Sequence, residues 1–312
     1  MDSFWVAARV VIPMALMMGI GVMLRVLKVT DRPTMKNVDK ISFKLFLPLL
    51  MFNNTFDMDF SRISGDYIVY AVAGSAVLFV MALFAIPKLV KAPAQAAAIG
   101  NALIRANYMM YSTAIAKSLY GADADLGVIM LLGAITIPVT NAMSAIVLEV
   151  ARSGQADAKK LMLAIAKNPL VIAAAIGLTV NLSGAVLPDM IVGVIDDLAG
   201  LATPLSFLSL GVSLNFASIA GNRRALSIGL LLKLLVFPVI FMGGAVALGF
   251  RGQALCGLLV LFAGPPAVSS YPMAVAMDAD PELAGQMVIF PTLLSLITIF
   301  LWVFGLSNFG ML

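Results

Sequence analysis

An arginine buried in an apolar stretch is the first residue of this sequence with chemistry to offer. Arg105 and Asn107 lie in ALIRANYMMYST (Ala102–Thr113). That is about 12 residues, or ~18 Å at 1.5 Å per residue, from the start of a hydrophobic run. At that depth a guanidinium cannot snorkel to water. It needs a partner, a water-filled cavity or an anion, so it counts as a functional candidate. No Asp or Glu lies at matching depth on this reading, which favours a water-filled site or an anion over a structural ion pair.

The second chemical stretch is LFAGPPAVSSY (Leu261–Tyr271), which also sits inside a hydrophobic run. Gly264-Pro265-Pro266 cannot continue a helix, because two successive residues lack an N–H and their rings crowd the preceding turn. Proline suits the first turn of a new helix, so Ala267, Val268 and Ser269 are expected to open a second half-helix. Its amides, with the Ser269, Ser270 and Tyr271 hydroxyls, would form an anion-sized receptor.

These stretches belong to a chain of 312 residues, 62% hydrophobic and 12% charged, with a mean hydropathy of +1.04. Repeated long apolar runs read as an all-α polytopic membrane protein with no room for a sizeable soluble domain. The net charge of +4 falls in loops, as membrane orientation requires, and does not point to nucleic acid. A single Cys256 and no His leave no disulfide framework, no thiolate or imidazole metal cluster and no histidine relay. No cofactor and no metal are expected.

Ten spans are read, at 4–26, 38–56, 67–87, 93–119, 125–149, 168–187, 194–215, 225–249, 252–277 and 283–306. Alternate loops carry Arg25, Lys28, Arg32, Lys36 and Lys40, then Lys88 and Lys91, then Arg152, Lys159, Lys160 and Lys167, then Arg223 and Arg224. By the positive-inside rule these loops are cytoplasmic and both termini face out. The opposite loops hold Asp57, Asp59 and Asp66 with Arg62, then Asp123 and Asp125, then Asp189, Asp196 and Asp197. The acidic loop Asp278–Glu282 is the exception, placed inside by the count.

A shift of 156 pairs Pro48-Leu49 with Pro204-Leu205, Phe60 with Phe216, Ile63 with Ile219 and Gly65 with Gly221. A shift of 157 or 158 pairs Gln95-Ala96 with Gln253-Ala254, Ser112 with Ser270, Asp123 with Asp280 and Leu126 with Leu283. Two repeats are therefore expected, at 1–150 and 168–312, with a cytoplasmic linker at 151–167. Five spans per repeat make the second insert upside down relative to the first. The broken ninth span is then the partner of the fourth, which holds Arg105. Lys233 is read as shallower, snorkelling to the cytoplasmic face. Asn53, Asn54, Thr55, Ser206 and Ser209 are read as bonds between helices. Pro48, Pro138, Pro204, Pro238, Pro272 and Pro291 are read as kinks.

At LFLPLLMF (Leu45–Phe52), RAN (Arg105–Asn107), NPL (Asn168–Leu170), ATPLSFLSLGVSL (Ala202–Leu214) and PPAVSSY (Pro265–Tyr271) with DPELAGQMV after it, the chain resembles the auxin efflux carrier family. The resemblance implies a fold like that of bile acid/sodium symporters. Ten spans form two inverted five-span repeats, with broken fourth and ninth spans crossing at the substrate site. Spans 1, 2, 6 and 7 would form an often dimeric scaffold, and spans 3–5 and 8–10 a mobile transport domain. It further implies Asn107, Pro265, Pro266, Ser269 and Ser270 as site positions. The fourth span departs from the family pattern, with Ala114 where a Pro stands in many members, so a sharper break is expected in the ninth.

The functional expectation is a secondary or facilitative carrier of a small organic anion, in the cytoplasmic (inner) membrane. Arg105, Asn107, Pro265, Pro266, Val268, Ser269 and Ser270 form its substrate site. Coupling to a proton or sodium is left open, with Asp57, Asp59 or the membrane potential as routes. The alternatives are a sodium-coupled symporter, an intramembrane enzyme and an assembly protein. The enzyme lacks a convergent nucleophile or acid–base set.

Overall fold

A computed structural model describes residues 2–56, 65–121, 126–153, 166–215 and 218–312. The chain runs through α1 (Asp2–Val26), α2 (Arg32–Ile41), a π-helical turn (Ser42–Phe46), α3 (Leu47–Phe56), α4 (Asp66–Phe84), α5 (Ile86–Leu89), α6 (Pro93–Ile104), α7 (Tyr108–Tyr120) and α8 (Gly127–Ser153). It continues through α9 (Pro169–Ser183), α10 (Asp189–Gly200), α11 (Ala202–Ser213), α12 (Ile219–Leu231), a second π-helical turn (Leu232–Val236), α13 (Phe237–Ala247), α14 (Gly252–Ala263), α15 (Ser270–Ala276) and α16 (Pro281–Asn308). Every interval read as a span is mainly helical in its described part, with non-helical gaps at 105–107 in the fourth and 264–269 in the ninth. Among the described residues five stretches are long and apolar enough to cross a membrane: Asp66–Leu89, Gly127–Arg152, Asp189–Ser213, Ile219–Ala247 and Pro281–Asn308. Shorter apolar helices stand at Val11–Val26, Pro169–Ser183 and Gly252–Ala263. The protein is an all-helical, polytopic membrane protein. Asp57, Asp59, Arg62, Asp123, Asp125, Lys159, Lys160 and the repeat matches at Phe60, Ile63 and Phe216 lie outside the described residues.

Several motifs are helix starts. Asp31, Asn168 and Asp280 are N-caps whose side chains accept from the amides of Thr34, Leu170 and Leu283. Each precedes a proline in the first turn, where the missing N–H would have no intrahelical partner anyway. NPL and DPEL thus owe their form to capping. Both π-helical turns end two residues before a proline, Pro48 and Pro238. Widening the turn accommodates the donor the ring removes, so these prolines do not end their helices.

Between helices in lipid, small residues permit close backbone contact. α1 crosses α11, and α3 packs along α9. At the first crossing a Cβ on Gly21 would overlap the Leu208 carbonyl, and one on Gly211 the Met18 carbonyl. Elsewhere α6 (PAQAAAIGNALI) is buried from Ala96 to Ile104 against α4, α8 and α16. Its alanines favour helix and let neighbours approach. Phe241 and Phe262 stack at 4.4 Å between α13 and α14.

One charge of the acidic loop that broke the charge pattern is neutralised in place. Glu282 pairs with Arg32 at 3.3 Å and accepts from the Ser218 hydroxyl at 3.0 Å. Its negative charge sits beside the basic start of α2, so it does not argue against that end being the basic one.

Gly21→Val or Gly211→Val should lower the melting midpoint in detergent, with a loss of about 1–3 kcal/mol from overpacking. Gly19→Ala and Gly193→Ala, where an added Cβ meets nothing within 4 Å, should melt as the parent does. Equal behaviour of the two pairs would contradict the close crossing.

Candidate functional site

Two helices stop at the same place. α6 ends at Ile104 and α7 begins at Tyr108; α14 ends at Ala263 and α15 begins at Ser270. The fourth span is therefore broken despite Ala114, over three residues, while the Gly-Pro-Pro break takes six. The two gaps cross and pair as an antiparallel bridge between Ala106 and Pro266. Asn107 N donates to Pro265 O at 2.8 Å, and Ala267 N donates to Arg105 O at 3.4 Å. Groups that leave a helix inside a membrane cannot turn to water, and here they satisfy one another. Pro265 and Pro266 bring no N–H that needs a partner.

The second half-helix starts at Ser270, later than the Ala267 start read from sequence, with Ser269 as its cap residue. The amides of Ala267, Ser270 and Tyr271 are spent on Arg105 O, Ala267 O and Val268 O. Of the amides expected to form a receptor, that of Ala267 is therefore taken by the other break. What remains at the crossing is side-chain chemistry.

Arg105 is 4% exposed. Its Nη2 donates to Ser269 Oγ at 2.6 Å and its Nη1 meets the Met273 sulfur at 3.4 Å. Among the described residues no carboxylate pairs with it. Asn107 is half-buried and precedes α7 without a side-chain cap bond, its Nδ2 directed at the Met14 sulfur at 3.9 Å. Asn101 Nδ2 donates to Ser270 O at 2.9 Å and ties α6 to α15. Ser270 Oγ and Asn101 Oδ1 are buried without a hydrogen-bond partner. Val268, Pro265 and Pro266 are buried in the same crossing. The structure brings all seven predicted site residues together.

Lys233 corrects the sequence reading. It is 1% exposed and does not snorkel. From the π-helical turn its Nζ reaches Leu103 O at 3.1 Å. Leu103 lies in the last turn of α6, where carbonyls have no helical donor and the dipole is negative, so a cation is stabilised there. Breaking the fourth span creates the binding position for Lys233. A parallel contact closes α11, where Arg25 Nη1 donates to Val212 O and Leu214 O at 2.8 and 2.6 Å.

Of the residues read as bonds between helices, Asn53 does reach another helix, donating to Asp196 at 2.6 Å. Thr55 and Ser206 instead donate to carbonyls of their own helices, and Ser209 Oγ has no partner. Sequence reasoning missed Asp39. It is 1% exposed, and neither carboxylate oxygen has a hydrogen-bond partner. Its neighbours in sequence, Lys36 and Lys40, made it look like part of a solvated basic cluster. The usable signal was Ser42 one turn on and Ser209 on a helix that packs against α2. Asp39 lines a cavity of about 370 Å³ with Arg32, Lys36, Tyr271 and Glu282. Among the described residues no three acidic, thiol or imidazole side chains converge as a metal-holding group.

A family model described as "Membrane transport protein" matches residues 6–303, nearly the whole chain. The chain belongs to this family, the auxin efflux carriers. A curated relative, an "Uncharacterized transporter" of Methanothermobacter thermautotrophicus, is 31% identical over 128 residues. The match covers 41% of this chain and 42% of that protein. Both descriptions are of transporters rather than catalysts. In this auxin efflux carrier family member, the paired breaks are the feature around which the helices are arranged.

Removing the amine that caps the first half of the broken fourth span leaves Leu103 O buried and unpaired. Lys233→Met should therefore lose about 1–3 kcal/mol and lower the melting midpoint, whereas Lys40→Met on exposed α2 should not. Equal midpoints for Lys233→Met and the parent would contradict the capping role.

Proposed function

We propose that this membrane transporter is a secondary or facilitative carrier of a small organic anion, working by alternating access. The observation that carries the reading is Arg105: a buried guanidinium whose five N–H donors are not matched by the Ser269 and Met273 contacts, with no carboxylate partner among the described residues. A planar fork of this kind fits a carboxylate held by two parallel bonds. Asn107, Ser269 and the unpartnered Ser270 hydroxyl complete a polar group next to Arg105, with Val268, Pro265 and Pro266 as its apolar wall.

The spans would divide into a scaffold of 1, 2, 6 and 7 and a transport domain of 3–5 and 8–10. In support, α1 packs on α11 and α3 on α9, while α6 packs on α4, α8 and α16. The first halves of the broken spans, α6 and α14, are each 12 residues long, as a duplicated unit would make them. The chain sits in the cytoplasmic membrane with both termini outside, and the scaffold offers the face for a homodimer.

The test is a thermal-shift panel of mono- and dicarboxylates and indole acids on purified protein, each with and without sodium. A ligand at 100 times its Kd adds about 2.7 kcal/mol of stability, enough to move the midpoint visibly. One acid class should stabilise the parent, lose its effect in Arg105→Ala and keep part of it in Arg105→Lys. Stabilisation by neutral or cationic compounds alone, or an unchanged anion effect in Arg105→Ala, would sink the anion reading. A shift that needs sodium would assign sodium as the coupling ion.

A further inference from the structure

Among the described residues Asp39 is the one buried acidic side chain, the carrier reading leaves it unused, and its surroundings are those of a switch. Asp39 lies on α2 where three elements meet: α2 itself, α11 and α15. At 1% exposure it has lost water, and neither oxygen has gained a hydrogen bond. The Ser209 hydroxyl of α11 faces it without completing one, and Ser42, one turn on, is likewise buried and unpartnered. A carboxylate in that position, ionised, would lack both hydration and an ion pair. Such a group carries a proton instead.

The other charged groups supply the opposite state. Lys36 and Arg32 stand three and seven residues before Asp39, on the same face of α2 and in the lining of the 370 Å³ cavity. Lys40 and Lys44 follow on the same segment. α11 brings no titratable side chain (ATPLSFLSLGVS). α15 brings Tyr271, and the approach to α16 brings Asp278 and Glu282, all three in the cavity lining; Glu282 is held by Arg32. A shift that parts α15 from α2 would let cavity water reach Asp39. An ionised carboxylate would then face Lys36 and Arg32 in a hydrated site.

We propose that Asp39 is a proton-binding site of this transporter, loaded while α2, α11 and α15 are packed together and emptied when α15 moves away. On emptying, the carboxyl O–H bond breaks, the proton passes to cavity water and the carboxylate keeps the electron pair. Because α15 begins at the crossing with Ser270 and its neighbour Ser269 holds Arg105, this site and the anion site share one moving element. The coupling of proton to anion rests on the carrier reading; the proton site rests on the geometry alone.

Infrared spectroscopy of the purified protein separates the two. The carbonyl stretch of a protonated, weakly hydrogen-bonded carboxyl should be present in the parent, disappear as pH is raised, and be absent in Asp39→Asn, which mimics the neutral form and should fold. Asp39→Glu should restore a band and Ser209→Ala should shift it. No band distinguishing the parent from Asp39→Asn at any pH overturns the proton site. With the band in hand, the anion-induced thermal shift should change with pH in the parent and follow only the acid's own titration in Asp39→Asn. Identical pH profiles overturn the coupling. A band with no anion shift in either protein keeps the proton site and counts against the anion reading.

Discussion

A backbone that leaves helical geometry inside a membrane must find hydrogen bonds within the protein, and that constraint shapes this chain more than any other. The breaks at Arg105–Asn107 and Gly264–Ser269 meet it by pairing with each other through Asn107 N to Pro265 O and Ala267 N to Arg105 O. Neither break is tolerable alone. Together they form a short antiparallel bridge whose open side is furnished by side chains. The remaining free carbonyls at the end of α6 draw in Lys233. A buried lysine and a buried arginine therefore owe their positions to the same interruption, one capping backbone and one bonded to Ser269 across the crossing.

The packing around that crossing is uneven. α1 and α11 touch backbone to backbone through Gly21 and Gly211, a contact that resists sliding. α15 is a short helix held by Asn101 and by the Arg105–Ser269 bond, with a cavity beside it lined by Asp39 and Tyr271.

Much of this was legible in the residues. Gly264-Pro265-Pro266 announces a break because the missing N–H groups are a covalent fact, and Arg105 announces a buried guanidinium because its depth follows from counting residues. The apolar runs gave the helical intervals. What was not legible depended on partners far away in sequence. Lys233 looked shallow because its acceptor, Leu103 O, becomes available only when the fourth span breaks, and nothing in YMMYSTA marks that break. Asp39 drew no reading because Lys36 and Lys40 flank it in a stretch counted as basic, whereas its burial comes from the packing of α2 on α11 and α15. The amide of Ala267, expected to stay open after the Pro-Pro pair, is instead taken by Arg105 O, an acceptor that exists only because the fourth span also breaks.

The central claim is that the crossing of the two breaks is where an organic anion is held. The most direct measurement is anomalous diffraction from crystals grown with a brominated carboxylate of the class that stabilises the protein. The account predicts a bromine peak within a few ångströms of the crossing, with carboxylate density in hydrogen-bond reach of the Arg105 guanidinium and the Ser269 or Ser270 hydroxyl. A well-occupied bromine site elsewhere, with Arg105 still bonded only to Ser269 and Met273, would contradict it.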